Sequence, residues 1–181
     1  MASERTKETP REPSREPSIE PPMTPPEGFQ QLPEGVGFAD RLQPFYRRVR
    51  GDRVSFGLVV QEQHLNLMGI IHGGALMTLA DIAAATSIHL LRDQPAPSPT
   101  INLSFDFMAP GRVGRWLETR ADHVQVKRRF GFCSGAIYDG ETPILRYSGA
   151  FYFPDHGALA GDAGTAQSKM SLLMGDDGAI R

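Results

Sequence analysis

Apolar and polar residues alternate along five stretches of this chain, and a sixth stretch is apolar almost throughout. Alternation with a period of two predicts a strand with one buried face, whereas a long apolar run rich in alanine predicts a buried helix. The clearest strand is TINLSFDFMAP, in which every second residue from Ile101 to Phe107 is apolar. The predicted strands are 54–60, 100–110, 115–126, 130–138 and 144–153, the predicted long helix is 73–91, and 37–48 is predicted to form a short helix docked by Phe45 and Tyr46.

The order of these elements limits the possible folds. One strand precedes the long helix and four follow it, joined by links short enough to make neighbouring strands antiparallel. The helix is apolar on nearly all sides, so it has to be enclosed by the sheet rather than lie on its surface. The sequence therefore predicts an α+β protein with the hotdog fold, an antiparallel sheet wrapped around one long central helix.

Composition divides the chain into one domain and two tails. Residues 1–35 contain eight prolines and seven glutamates, and such a segment cannot bury enough apolar surface to offset its loss of conformational entropy. We expect residues 1–35 to be a disordered arm, or one that orders only against a neighbouring subunit. We expect a hotdog domain over 36–156 and a flexible, glycine-containing tail over 157–181, with a helical turn within 167–174.

Charge and composition exclude several kinds of partner. The formal net charge of −2 is too balanced for a nucleic-acid-binding protein. The single cysteine, Cys133, is typical of a reducing compartment, and the polar N-terminus has no apolar signal segment, so we expect a cytoplasmic protein. The apolar run 65–91 is long enough to cross a membrane. However, the acid at its centre would cost about 2.5–3.5 kcal/mol there, so we expect no membrane span.

That acid, Asp81, is the first candidate for chemistry. On a helix it shares a face with Gly74, Met77 and Thr78, and no cation lies on this face. Burying an unpaired carboxylate costs several kcal/mol, and a solvent-filled gap beside the acid is the ordinary alternative. An acid beside a cavity left by small neighbours is a candidate general base or nucleophile.

A second candidate group lies where the predicted helix begins. Asn66, Gly69 and the run His72-Gly73-Gly74 precede or open the helix. A helix N-terminus offers unpaired N–H groups and the positive end of the helix dipole, and glycine lets a ligand approach the backbone closely. These features suit a carbonyl oxygen that gains negative charge, so they predict an oxyanion hole. A plain tight turn into the helix is the alternative explanation of the two adjacent glycines.

Gly73 and Asp81 are too far apart on one helix to act on the same carbonyl. Eight helical residues span roughly 12 Å, whereas groups acting on one reaction centre lie within about 3–3.5 Å of the reacting atoms. Two antiparallel copies of the helix meet this requirement, because each gives its N-terminus to one site and its acid to the other. We therefore expect a homodimer with two sites at its interface, and a homotetramer built from two such dimers is left open.

The pattern N-x-x-G-x-x-H-G-G, followed by L-A-D, resembles that of hotdog-fold acyl-CoA thioesterases of the phenylacetic-acid-degradation (PaaI-like) family. The resemblance extends over about 54–153 and leaves out both tails. It implies hydrolysis of an acyl-CoA thioester to a carboxylic acid and coenzyme A. Coenzyme A is then part of the substrate, and no separate cofactor is expected.

The resemblance also implies a role for each matching residue. Asp81 would activate water or attack the carbonyl, and Gly73 would donate its N–H to the thioester oxygen. Asn66 and His72 would position the carbonyl or the water. Thr100 resembles a hydroxyl residue that assists the water.

Other residues are candidates for contacts with the substrate. Gly74 and Met77 share the helical face of Asp81, and we expect both to bind substrate. The run Lys127-Arg128-Arg129 is either a solvated turn or a contact for the phosphates of coenzyme A, because arginine suits phosphate. The histidines have no metal-binding spacing with acids or cysteines, so we predict no metal.

Two other functions remain as alternatives. A non-catalytic acyl-CoA sensor would use the same pocket, but it would gain nothing from a buried acid opposite the oxyanion hole. A hotdog dehydratase pairs a histidine with an acid across the site, which His72 and Asp81 do not formally exclude. The pattern from Asn66 to Gly74 favours the thioesterase.

Overall fold

One antiparallel sheet and one long helix form the part of the chain that the computed structural model describes, residues 23–92, 98–154 and 171–174. The elements, in chain order, are β1 Gln30–Gln31, a 3₁₀ helix Gly37–Leu42, β2 Tyr46–Arg50, β3 Arg53–Val59, a 3₁₀ helix Glu62–His64, α1 Gly73–Leu90, β4 Thr100–Phe107, β5 Trp116–Val126, β6 Phe130–Asp139 and β7 Thr142–Tyr152. The seven strands lie in the order β1-β2-β3-β5-β6-β7-β4, and every neighbouring pair is antiparallel. The α+β hotdog prediction is confirmed.

Helix α1 packs one side against the inner face of the sheet. Strand β6 approaches it closely because Gly131 has no side chain: a Cβ there would overlap Cγ2 of Ile88. Burying each of the larger apolar side chains on this side stabilises the fold by about 1.5–3 kcal/mol. The buried helix residues are Ala75, Leu76, Leu79, Ala80, Ala83, Ala84, Thr86, Ser87, Ile88 and His89.

The other side of α1 is only partly covered by the described residues. Met77 is 41% exposed, and Thr78, Asp81, Ile82 and Ala85 are partly exposed. The prediction that the sheet encloses the helix on nearly all sides is therefore wrong for a single chain. The sheet covers one side, and a face of small and apolar residues stays accessible.

By length and mean hydropathy, Gly73–Leu90 could also cross a membrane, but 56% of this segment is buried inside the fold. A helix in the core of a protein meets the same two criteria. The contacts of α1 with the inner face of the sheet are those of a core helix.

The region before β3 departs most from the predicted pattern. Only Gly37–Leu42 is helical, because Pro44 has no N–H group and interrupts the helix predicted over 37–48. The following residues form β2, which pairs with β3 along its whole length. Phe45 docks as predicted and has an exposed fraction of 0%.

Residues 23–35 are ordered, which corrects the predicted extent of the N-terminal arm. Strand β1 extends the sheet beside β2, and Leu32 is buried. The ring of Phe29 packs edge-on against Trp116, with 4.8 Å between the ring centroids. These few apolar side chains find partners on the sheet, which the polar composition of the segment did not indicate. The rest of the predicted arm, residues 1–22, lies outside the described residues.

Within the predicted C-terminal tail the structure describes residues 171–174, which are helical. The carbonyl of Leu172 accepts a hydrogen bond of 3.2 Å from Arg47, and Leu173 packs against the core. The rest of the predicted tail lies outside the described residues.

Candidate active site

Asp81 and Thr100 meet beneath the edge of the sheet. The hydroxyl of Thr100 donates a hydrogen bond of 2.7 Å to Oδ1 of Asp81, which joins the middle of α1 to the start of β4. Asp81 is half-buried, so the expectation of a buried, unpaired carboxylate is wrong for the single chain. Among the described residues no donor reaches Oδ2 of Asp81. This oxygen is therefore available to accept a proton from water.

His72 caps the N-terminus of α1. Its Nδ1 accepts a hydrogen bond of 2.8 Å from the N–H of Gly74, one of the donors that the start of a helix leaves without a partner in the helix. When Nδ1 accepts, the ring proton of a neutral histidine lies on Nε2. The exposed ring of His72 therefore faces its surroundings as a donor.

Gly73 keeps its N–H group available. No described residue accepts a hydrogen bond from it, whereas the next three N–H groups of the helix all donate to His72. The ring of Phe107 lies close by, since a Cβ on Gly73 would come within 3.0 Å of its Cε1. Glycine permits this close approach, and a free N–H beside an apolar ring can stabilise an oxyanion.

Asn66 opens the turn that leads into the helix. Its Oδ1 accepts a hydrogen bond of 2.8 Å from the N–H of Met68. Its carbonyl accepts one of 3.0 Å from the N–H of Gly69, and Gly69 has the left-handed φ of 71° that favours glycine. Because its side-chain oxygen is occupied, Asn66 offers its NH2 group as a donor. Asn66, His72 and Gly73 thus all present donors near the start of α1.

His64, which the sequence did not single out, holds this turn in place. It is 1% exposed, its Nδ1 accepts from the N–H of Gln61 at 3.0 Å, and its Nε2 lies 2.9 Å from the carbonyl of Leu42. The carbonyl of His64 also accepts the N–H of His72 at 2.7 Å. Burial lowers the pKa of His64, against the smaller raising effect of the bond to Leu42. No spacing rule distinguishes His64, because its partners are backbone groups.

The two parts of the predicted site lie at opposite ends of β4. Thr100, the first residue of this strand, contacts Asp81, and Phe107, the last, contacts Gly73. Helix α1 and strand β4 therefore run in opposite directions past each other. Since roughly 12 Å of helix separates Gly73 from Asp81, one chain does not bring the oxyanion donor and the acid together.

Gly74 and Met77, the two other helix residues predicted to bind substrate, differ in which groups they leave available. Both backbone polar groups of Gly74 are engaged: its N–H donates to His72, and its carbonyl accepts a hydrogen bond of 2.9 Å from Thr78. This leaves Gly73 as the donor at the helix start. Met77 lies midway between Gly73 and Asp81 along the chain, on the accessible side of the helix.

The run Lys127-Arg128-Arg129 forms the turn between β5 and β6. Lys127 and Arg128 are exposed, and the guanidinium of Arg129 donates a hydrogen bond of 2.6 Å to the hydroxyl of Tyr152. The turn is not part of the group formed by Asp81 and Thr100.

Cys133 lacks the properties of a nucleophile. It is buried on the inner face of β6, and burial, with a smaller contribution from Asp122, raises its pKa to about 12. The thiolate, which is the reactive form, is therefore strongly disfavoured.

The fold defines a class of protein: a hotdog protein whose long helix has a free N–H at its start and a half-buried carboxylate in its middle. Comparison with known proteins identifies the family. The family model of the thioesterase superfamily matches residues 68–145. A Pseudomonas aeruginosa protein named "Putative esterase PA0474" is 36% identical over 129 residues, which are 71% of this chain and 96% of that protein. The chain belongs to the thioesterase superfamily and is a thioester hydrolase.

Two further proteins are similar to this chain, one in sequence and one in fold. The mouse protein named acyl-coenzyme A thioesterase 13 is 28% identical over 86 residues, 48% of this chain and 61% of that protein. A variant of phenylacetic acid degradation protein PaaI from Thermus thermophilus superposes with a TM-score of 0.57 at 23% identity, over 65% of this chain and 98% of that chain. This structural likeness establishes the shared fold.

Proposed function

We propose that the chain hydrolyses an acyl-CoA thioester to a carboxylic acid and free coenzyme A, in a twofold dimer with both sites at the interface. The observation that carries the proposal is the pair of contacts at the ends of β4, Phe107 with Gly73 and Thr100 with Asp81. The name of the mouse relative, acyl-coenzyme A thioesterase 13, supports the substrate class.

The position of β4 supports the dimer. It is the last strand of the sheet, so its outer edge can pair with a second copy. Antiparallel pairing of two β4 strands places the Phe107 end of one beside the Thr100 end of the other. Gly73 contacts Phe107, and Asp81 contacts Thr100. The twofold rotation that pairs the β4 strands therefore also brings Gly73 of one chain towards Asp81 of the other.

The groups along this edge suit such pairing. The N–H of Met108 donates to the carbonyl of Ile144 at 2.9 Å. Since hydrogen-bonded residues alternate along an antiparallel strand, the N–H groups of Leu103 and Phe105 point to the free edge. The apolar side chains at the two ends of the strand are more than half exposed: Ile101 56%, Phe107 55% and Met108 51%. A second copy would remove this apolar surface from water.

The helices give a consistent position for the twofold axis. Met77 is the midpoint between Gly73 and Asp81, and it is 41% exposed on the accessible face of α1. Antiparallel helices that cross at Met77 place each helix start opposite the acid of the other helix. Packed helices lie about 8–10 Å apart, which leaves space for a thioester between the two groups.

In the proposed reaction, Asp81 of one chain removes a proton from a water molecule whose oxygen attacks the thioester carbon. The N–H of Gly73 from the other chain donates to the carbonyl oxygen as it becomes negative, and Asn66 and His72 add donors nearby. The C–S bond then breaks, and the thiolate of coenzyme A leaves and takes up a proton. Alternatively, the carboxylate of Asp81 attacks the thioester carbon directly and forms an anhydride that water hydrolyses. This route needs the same positions of Asp81 and Gly73.

The role of His72 bears on the dehydratase alternative. A histidine that removes a proton from substrate needs a nitrogen with a free lone pair. In His72 the accepting nitrogen is already bonded to the N–H of Gly74, and the other nitrogen carries the proton. This arrangement supports hydrolysis over dehydration.

Thiol release from a panel of acyl-CoA thioesters tests the proposal. Asp81→Asn preserves the shape of the side chain and removes the base, so we expect the rate to fall about 10²- to 10⁴-fold. Thr100→Val removes only the hydroxyl and should cost less. Thiol release that survives Asp81→Asn unchanged would contradict the mechanism, and absence of release by the wild type from every acyl-CoA would contradict the substrate class.

A further inference from the structure

Two donors of the candidate site lie on a short hairpin at the surface. The N–H of His72 donates to the carbonyl of His64 at 2.7 Å. The N–H of Asn66 donates to the carbonyl of Ile70 at 2.8 Å. These two bonds flank a β-bridge, so residues 64–72 form an antiparallel hairpin that leads directly into α1. Asn66 is half-buried and His72 is exposed, so the packing of their own side chains does little to fix where their donors lie.

Hydrogen bonds anchor this hairpin from two sides. On one side, the N–H of Ile71 donates to the carbonyl of Gly111 at 2.9 Å, in the loop between β4 and β5. On the other side, Nε2 of His64 lies 2.9 Å from the carbonyl of Leu42, the last residue of the first 3₁₀ helix. One anchor alone would leave the hairpin free to tilt about it, whereas two anchors fix its position.

The ring of His64 has the properties of a fixed anchor. It is 1% exposed, and because Nδ1 accepts the N–H of Gln61, the proton of the neutral ring lies on Nε2 and is donated to Leu42. Both ring nitrogens therefore have a partner, as buried polar groups require. Burial lowers the pKa of His64 against the smaller raising effect of the bond to Leu42, which favours the neutral ring that these two bonds need.

His64 is close along the chain to every donor of the site. Its carbonyl accepts the N–H of His72, and Gly73 is the next residue. Asn66 lies two residues after His64. An oxyanion donor acts at about 2.7–3.1 Å from the oxygen, and a misplacement of about 1 Å can lower a rate about 10²-fold. A tilt of the hairpin would therefore reduce the rate although each donor is still present.

Both residues of the anchoring bond lie outside the segment that the family model matches, residues 68–145. They are 22 residues apart along the chain and meet only in the folded protein. We propose that His64 is a positioning residue for thioester hydrolysis: its bond to Leu42 holds the hairpin so that its donors and the N–H of Gly73 face one carbonyl oxygen. This role rests on the proposed acyl-CoA hydrolysis and adds which buried residue sets the placement of the donors.

Two amide substitutions separate the two bonds of the ring. Glutamine places a side-chain N–H about where the ring carries Nε2, so His64→Gln keeps a donor for Leu42. Asparagine is shorter, so His64→Asn keeps an acceptor for Gln61 and loses the bond to Leu42. His64→Asn should lower kcat for an acyl-CoA about 10- to 100-fold. KM should stay within about twofold of the wild-type value, because the lost interaction acts only in the transition state. His64→Gln should retain kcat to within about threefold.

A control for stability is needed because position 64 is buried. Val54 is 4% exposed and lies near the start of β3, whereas the hairpin follows the end of that strand. Val54→Ala removes core packing away from the hairpin, so it should lower the free energy of unfolding and leave kcat unchanged. Denaturant unfolding gives the folded fraction of each variant. Because kcat is expressed per folded chain, partial unfolding cannot imitate the expected loss.

A double variant with Gly73→Pro, which removes the N–H of Gly73, shows whether His64 acts through the donors. If it does, His64→Asn loses part of its effect once one donor is absent. The double variant should then be less impaired than the product of the two single losses predicts. Losses that multiply in full would overturn the positioning role.

The remaining outcomes separate this role from the proposed function. Equal kcat values for His64→Asn and His64→Gln, or a loss in His64→Asn no larger than in Val54→Ala, would overturn the role of His64 and leave the proposed hydrolysis intact. The same variants are measured on the N-acetylcysteamine thioester of the same acid, which has no nucleotide. A wild type that cleaves this thioester but no acyl-CoA would contradict the proposed function, and the loss in His64→Asn on the smaller thioester would still decide the role of His64.

Discussion

At the start of α1, the backbone determines which hydrogen-bonding groups the side chains still offer. Asn66 and His72 each carry a donor and an acceptor, and each uses its acceptor on a backbone N–H of the same turn. What remains is the NH2 of one side chain, the Nε2–H of the other and the N–H of Gly73. A group of donors without acceptors favours an oxygen that gains negative charge over a neutral hydroxyl.

The N–H of Gly73 can be removed without removing the helix. Proline is well tolerated at the first helical position, and His72 already has the extended ψ of 134° that a residue before proline prefers. Gly73→Pro should lower kcat for thioester hydrolysis about 10²- to 10³-fold, the usual effect of losing one oxyanion donor. Gly73→Ala is the control, because its Cβ meets Phe107 in the same way but the N–H remains. Equal losses in the two variants would show that crowding, not the donor, matters.

Buried His64 makes stability depend on pH. Burial lowers its pKa in the folded chain, so its contribution to stability is full above the unfolded value of about 6.5 and is lost as the pH falls from there towards the folded pKa. The free energy of unfolding should therefore decrease below pH 6.5 by up to about 1.4 kcal/mol per pH unit.

Denaturant unfolding at a series of pH values measures this slope. His64→Gln should flatten it, whereas His123→Gln, at an exposed position on β5, should leave it unchanged. Equal effects of the two substitutions on the slope would show that His64 does not cause the loss of stability at low pH.

The residues of the site differ in how far the sequence could identify them. Asp81 is conspicuous because it interrupts an apolar run, and family resemblance indicated Thr100, which the structure brings to 2.7 Å from it. Phe107 and His64 could not be found in this way. Their importance comes from contacts with Gly73 and with backbone groups that are distant in sequence, and no local pattern records such contacts.

Among the elements, α1 and β4 form the site together. They run antiparallel and contact each other at both of its parts, Asp81 with Thr100 and Gly73 with Phe107. If the helices of two copies cross at Met77, a charge there meets its own copy on the twofold axis. Met77→Glu should therefore split the dimer into monomers and abolish hydrolysis, although every catalytic group is retained, because like charges in contact are destabilising. Light scattering after size exclusion gives the molecular mass.

Two further variants show whether the charge at position 77, and not the loss of methionine, separates the chains. Met77→Leu should remain dimeric and active, and mixing Met77→Glu chains with Met77→Lys chains should restore dimers and activity through the opposite charges. A Met77→Glu protein that stays dimeric would place the axis elsewhere.

The elements from β3 onward follow their local patterns closely, whereas those before β3 do not. In β5 apolar and polar residues alternate, and α1 is a continuous apolar run rich in alanine. The pattern therefore predicts the bounds of both elements to within a residue or two. Strand β2 begins within the helix predicted over 37–48. It becomes a strand through pairing with β3, which is a tertiary effect.

At the scale of the whole molecule, the predicted dimer follows from a distance rather than from a pattern. The acid and the donor lie on one helix, and the helix is too long for both to reach one carbonyl. The exposed face of α1 and the free edge of β4 are the surfaces that a second copy would cover. The sequence indicated the need for a second copy, but the surfaces that such a copy would cover are visible only in the folded chain.

Mixing two inactive variants tests the shared site most directly. Asp81→Asn chains retain the donor, and Gly73→Pro chains retain the acid. After joint refolding, half of the dimers are mixed and each mixed dimer has one intact site, so about a quarter of wild-type thioester hydrolysis should return. If the two groups acted within one chain, the mixture would stay as inactive as its components, and that result would contradict a site built from two copies.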